Sequence, residues 1–224
     1  MSDAAPRTPL WDGPTRLFHW SLVTLILVAW FSAEKNMELH RLAGYAVLGL
    51  VVFRLWWGIA GGSTARFASF VKGPKATLAY VSSLGSRKSG EAAGHNPLGA
   101  WSVVAMIALI AVQAGLGLFA TDIDGIESGP LSDRVDFDTG RLFSEWHELA
   151  FRLLQGLIGL HLLAIAFYAI WKRENLLGAM ITGGRRFGTA VTPLKKAPLW
   201  SLVVGVVLAV VAAYAISKGF RIKL

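Results

Sequence analysis

Cysteine is absent from all 224 residues. That absence excludes disulfide bridges, covalently attached c-type haem, thiolate-bound iron–sulfur clusters and cysteine zinc sites. Charge is scarce too: Asp, Glu, Lys and Arg make up 16% of the chain, against about 25% in an ordinary soluble domain. Proline is sparse, and none of its eight copies falls inside a long apolar run. Carboxylates are missing from the interiors of those runs, except for Glu148 near the end of one. The opening "MSDAAPRTPLWDGPTR" lacks the apolar core and cleavage site of a secretory leader, so the first apolar run is expected to stay in the protein. No internal repeat stands out. The net charge of +8 is read by its position along the chain, not as a sign of nucleic-acid binding.

What remains is apolar. Hydrophobic residues reach 54% and mean hydropathy is +0.52, which places the chain in the membrane class. Five runs meet the requirement of about 17–25 residues for a span: Leu17–Ala33, Leu42–Ala60, Leu98–Ala120, His147–Trp171 and Leu199–Ser217. Continuous runs exclude a barrel and leave helices to satisfy the backbone in lipid. The expected fold is all-α: an integral membrane four-helix bundle with an additional C-terminal transmembrane helix. Two domains are expected, residues 1–186 as the bundle and 187–224 as a linker with the fifth helix. Residues 61–97 hold five bases against Glu91, and residues 172–198 hold six against Glu174. Residues 120–148 carry eight acids against Arg134 and Arg141. Basic loops stay in the cytoplasm, so the N-terminus is expected inside and the 121–146 loop outside. Five spans then leave the tail "KGFRIKL" outside, against the charge rule. The stretch "SSLGSRKSGEAAGHNP" at 82–97 reads as a flexible connector.

Histidine carries the chemistry. His19 lies near the inner end of the first run, and His40 precedes the second at the outer side. His147 opens the fourth run outside, and His161 lies fourteen residues deeper, about 21 Å along a helix. The four sort by depth into His19 with His161 and His40 with His147. Fourteen residues also fall within roughly 40° of four whole turns, so His147 and His161 share one helix face. Paired imidazoles on facing helices can clasp two haem irons. With both axial positions filled, such irons favour electron transfer over O₂ binding. The alternative for any single histidine is an interfacial or interhelical hydrogen-bonding residue. A metal or proton transporter is a further alternative, though such a path usually needs intramembrane carboxylates. His95, in "AGHNPLG", reads as an exposed or capping residue.

Arg54 follows His40 by fourteen residues. It is read either as the partner of a haem propionate or as a cation snorkelling to the inner face. Gly44, Gly49, Gly115, Gly117, Gly156 and Gly159 punctuate the runs. They serve either close approach to a flat macrocycle or ordinary helix packing.

The ordered series "WDGPTRLFHW", "ELHRLAGY", "FRLWWGIAG", "GHNPLGAWSV", "WHELAF", "GLHLL" and "RENLLGAMITG" resembles the bacterial cytochrome b561 family, which includes the b-type cytochrome subunits of nickel–iron hydrogenases. The resemblance covers roughly residues 10–186. It implies a four-helix core with two non-covalent b haems, ligand positions at His19, His40, His147 and His161, and electron exchange between a periplasmic partner and the quinone pool. It also implies residence in the bacterial inner membrane. The fifth run and the acidic 121–146 loop depart from the family pattern. The functional expectation is a relay for a c-type cytochrome or dehydrogenase docking on that loop. The alternative is a direct superoxide:quinone oxidoreductase; an acidic outer loop disfavours an anionic substrate and favours a basic partner.

Overall fold

The computed structural model describes residues 7–87, 94–187 and 191–221. Five long helices dominate it: α1 (Gly13–Ser32), α2 (Met37–Ala60), α5 (Pro97–Gly117), α6 (Phe137–Ile170) and α8 (Leu199–Ser217). All five are long and apolar enough to cross a membrane, so the chain is a multi-pass membrane protein. Short helices α3 (Phe67–Phe70), α4 (Pro74–Ser82) and α7 (Leu176–Thr182) lie between them. Two three-residue strands, β1 (Arg7–Pro9) and β2 (Gly184–Arg186), pair antiparallel.

The helix ends follow from local chemistry. Asn36 accepts from the Leu39 N–H at 2.9 Å and so starts α2 after a four-residue turn. Asn96 accepts from the Gly99 N–H at 2.8 Å, and Pro97 takes the first helical position, where its missing N–H costs nothing. Asp136 caps α6 through the Thr139 N–H at 2.9 Å and the Thr139 hydroxyl at 2.7 Å. These bonds hold the Asp136 carboxyl below its ordinary pKa.

Four of the five expected spans match the helices closely. The fourth differs: α6 begins at Phe137, ten residues before His147. Its 34 residues make about 51 Å of helix, well beyond the ~30 Å hydrocarbon core. Hydropathy cannot register those extra turns because they are polar; the Asp136 cap marks where they start. Short helices α3 and α4 likewise occupy the basic 61–97 segment. Of the connector expected at 82–97, residues 88–93 lie outside the described residues.

The chain forms two compact units, each built from three stretches: 1–17, 56–105 and 158–202 in one, and 18–55, 106–157 and 203–224 in the other. In the first, Leu10 and Trp11 donate their N–H groups to the Gly183 carbonyl at 2.8 and 3.0 Å. Gly183 ends α7 at φ 85, a conformation that suits glycine. Asp12, 7% exposed, accepts from the Thr15 N–H at 2.8 Å and the Trp57 indole at 3.2 Å, so the "WDG" stretch is a helix cap tied to α2. His95 is not the exposed or capping residue expected. It is half-buried, with ring centroids 4.7 Å from Trp11 and 4.6 Å from Phe70; the cap is its neighbour Asn96. Trp56 donates to the Ser201 carbonyl at 2.8 Å, and the Ser201 hydroxyl donates to the Ala60 carbonyl at 2.7 Å, which fastens the start of α8 to the end of α2.

In the second unit α8 again meets α2. A Cβ added at Gly49 would lie 2.9 Å from the Ala209 carbonyl oxygen and 3.3 Å from the Ala213 Cβ, the small-residue packing typical of membrane helices. The tail that follows α8 reaches the acidic loop: Arg221 pairs with Asp133, and Arg134 donates to the Gly219 carbonyl at 3.0 Å. The basic tail therefore finds its counter-charge on the loop's side.

Candidate functional site

His40 sits in the first turn of α2 and His147 ten residues into α6. The second unit brings the two rings together, with centroids 6.1 Å apart and planes at 78°. His40 Nδ1 lies 2.8 Å from the Ala29 carbonyl oxygen, and His147 Nδ1 lies 2.8 Å from the Gln113 carbonyl oxygen. A carbonyl can only accept, so in both rings Nδ1 carries the proton and Nε2 keeps its lone pair. Fixing the tautomer through one ring nitrogen prepares the other to bind a metal.

Both rings line a cavity of about 550 Å³, inside the ~300–1,000 Å³ range of cofactor and ligand sites. Its walls are mostly apolar, including Val47, Ile110, Phe151 and Leu154. Gly44, one turn from His40, also lines it, and a Cβ there would meet nothing within 4 Å. At Gly117 space is tight instead. A Cβ there would stand 2.9 Å from His147 Cε1, so the missing side chain makes room for the imidazole. The expectation for the glycines thus divides. Gly49 serves helix packing, Gly117 admits the His147 ring, and Gly44 leaves space in the cavity.

The residues present fit a haem held by two imidazoles. A histidine nitrogen binds a transition metal at about 2 Å. With ring bonds of about 1.3 Å the ring centre lies roughly 1.1 Å further, so two imidazoles on opposite sides of one iron have centres about 6 Å apart. The observed 6.1 Å agrees, and the sequence supplies no thiolate to compete.

His19 lies half-buried on α1, edge-on to Trp20 at 5.0 Å, and belongs to the second unit. His161 lies half-buried on α6 and belongs to the first. One unbroken helix carries both His147 and His161. Arg54 is 3% exposed.

Gln113 is a site residue that the sequence reading misses. Its side-chain Nε2 lies 3.1 Å from His147 Nε2, and with the tautomer fixed above, the amide is the donor. Its side-chain Oε1 is buried without a hydrogen-bond partner among the described residues. A signal does exist, since Gln113 is the sole side-chain amide in the third apolar run.

The acidic loop is folded back on itself. Thr121 and Ser128 form an isolated bridge, and Gly129 donates to the Ala120 carbonyl at 2.8 Å. Its charges are unequal in role. Glu127 pairs with Arg41, next to His40; Asp133 pairs with Arg221; Asp136 caps α6. Asp124, Asp138 and Glu145 are exposed and form no ion pair among the described residues, whereas Asp133 and Asp136 are exposed but engaged.

Comparison with known proteins identifies a family. The family model described as prokaryotic cytochrome b561 matches residues 10–183. The chain is 25% identical over 213 residues to a protein of Azotobacter chroococcum named as a probable Ni/Fe-hydrogenase B-type cytochrome subunit, covering 80% of this chain and 88% of that one. A protein of the same name from Cupriavidus necator is 24% identical over 215 residues, covering 80% and 87%. No solved structure matches the chain.

Proposed function

The chain belongs to the prokaryotic cytochrome b561 family, and from that premise we propose that it carries electrons across the bacterial inner membrane through two b haems, between a periplasmic redox protein and the quinone pool. The observation that carries this reading is the facing pair His40 and His147, each with Nδ1–H spent on a backbone carbonyl at 2.8 Å. A b haem held by His40 and His147 would supply one-electron transfer.

The chain's own residues supply the rest. Ala29 and Gln113 orient the two imidazoles. Val47, Ile110, Phe151 and Leu154 give the cavity an apolar wall, and a low-dielectric wall strengthens the charge interactions beside it. His19 and His161 are the ligand pair of the second haem; support comes from the depth match and from the family resemblance. Buried Arg54 is the cation for a propionate of that haem. The N-terminus faces the cytoplasm, a reading supported by the basic segments 61–97 and 172–198.

The relatives' name refers to a hydrogenase, which favours a separate redox enzyme as the partner here over a small anionic substrate. Exposed Asp124, Asp138 and Glu145 mark the face where a basic partner is steered.

A pyridine haemochrome assay tests the reading. Wild-type protein should give a b-type spectrum with about two haems per chain, one for each bis-imidazole site. His40→Ala and His147→Ala should each lose the same haem and keep the other, and His19→Ala and His161→Ala should share the opposite loss. One haem in the wild type, or His19 and His147 behaving as a pair, would overturn the assignment.

A further inference from the structure

Where α6 ends, the first unit opens a second cavity, of about 490 Å³. Five cations line it: Arg7 on β1, Lys172 and Arg173 directly after α6, and Arg185 and Arg186 on β2. Its one carboxylate, Glu174, is already paired with Arg185, and the Lys172 ammonium donates to the Ser86 carbonyl. Among the described residues no carboxylate lies within ion-pair distance of Arg7, Arg173 or Arg186.

Two features of this cluster work against the fold when the cavity is considered alone. Arg7 and Arg186 are direct register partners across the two-stranded ladder, and like charges placed opposite each other destabilise a strand pair. Arg173 has φ 59, in the left-handed region that penalises any residue with a Cβ. A bound oxyanion removes the first conflict by neutralising both guanidiniums. It also gives the second a purpose, because strained backbone is commonly retained where a side chain must be aimed.

The location selects the ligand's chemistry. Trp171 is exposed at the exit of α6, with the Arg87 guanidinium over its ring at 4.9 Å; tryptophan at a span end marks the headgroup level. Buried Phe187 closes the cavity wall beneath Arg185 at 4.5 Å. Guanidinium forks match the oxygens of a phosphate in paired hydrogen bonds, and basic pockets at the cytoplasmic ends of membrane helices take anionic headgroups. We propose that this cavity, lined by Arg7, Arg173 and Arg186, binds a phosphate oxyanion supplied by the headgroup of an anionic phospholipid. The proposal does not depend on the haem assignment.

The test uses the full chain with its haems, in nanodiscs of phosphatidylcholine containing a minority of phosphatidylglycerol. After release into mild detergent, native mass spectrometry counts lipid adducts. Wild type should retain phosphatidylglycerol in preference to phosphatidylcholine. Arg173→Gly should cut that retention about tenfold, the order expected for one lost charge-assisted hydrogen bond. Glycine adopts φ 59 freely, so this variant should fold at least as well as wild type, with an unchanged haem spectrum. The double variant Arg7→Gln with Arg186→Gln should lose the adduct as well. In a second arm, inorganic phosphate is added to delipidated protein and its melting temperature is followed. Phosphate stabilisation that needs Arg173, without any lipid adduct, would keep the oxyanion site and overturn the lipid as its source. Equal retention of both lipids, or phosphatidylglycerol retention unchanged in both variants with no effect of phosphate, would overturn the proposal.

Discussion

At Arg54 a single charge decides what the surrounding helix can do. A guanidinium that is 3% exposed on a membrane-spanning helix is costly to bury. If it compensates a haem propionate, Arg54→Leu should lower the midpoint potential of the haem bound by His19 and His161, because removing a nearby cation favours the more positive, oxidised iron. Redox titration of the two haems checks this. The haem bound by His40 and His147 should move much less, since Arg54 is fourteen residues from His40 along α2, about 21 Å. Equal shifts, or none, would remove Arg54 from the site. His40 and His147 are legible at this scale because histidine in an apolar run is rare. Gln113 is not, because one amide in a membrane helix commonly does no more than bond a neighbouring helix; its place against His147 Nε2 needs the third dimension.

Among the elements, α8 is the one the sequence presents as an appendage. Its contacts with α2 are close at both ends: Trp56 and Ala60 meet Ser201, and Gly49 meets Ala209 and Ala213. Gly49→Leu should therefore cost about 1–3 kcal/mol, the usual range for overpacking a close contact, seen as a lower melting temperature. The haem spectra should be retained, because no expected ligand lies on α8. An unchanged melting temperature would mean that α8 is loosely held. Helix α6 teaches a different lesson. Hydropathy locates its apolar part and places the start at His147, whereas the helix begins at Phe137. Helical continuation through a polar segment depends on capping and local hydrogen bonds, here those of Asp136 and Thr139, and not on apolar content.

At the scale of the whole molecule, the proposal that the acidic loop steers a basic partner can be tested by salt. Screening acts over about 8–10 Å at physiological ionic strength, so electron exchange with a native basic partner should slow as salt rises. Replacing Asp124, Asp138 and Glu145 with Asn or Gln should slow it at low salt and flatten the salt dependence in stopped-flow measurements, with haem content unchanged. Glu127 and Asp133 belong to a different class. Their carboxylates are engaged by Arg41 and Arg221, so their neutralisation should loosen the loop and the tail more than it changes steering. A neutralised triple variant with the wild-type rate and salt slope would reduce the loop to a solvated connector.

The sequence by itself determined the membrane class, the five helices and the family. Apolar length and the lack of water in lipid leave the backbone few alternatives, and the histidine motifs are local. It also put His40 and His147 forward as a pair, because helix rise converts residue number into distance along a span. Tertiary structure alone decided which atoms face the cavity. The pairing of each Nδ1 with a carbonyl on another helix, the opening of Gly44 and the clearance at Gly117 all depend on how helices far apart in sequence rotate against one another. The division of the acids into paired and unpaired was decided in the same way, since Arg41 and Arg221, the partners of Glu127 and Asp133, lie 86 and 88 residues from them. So was the meeting of Arg7 with Arg186, because a ladder between residues flanking the two ends of the family match leaves no local pattern to read.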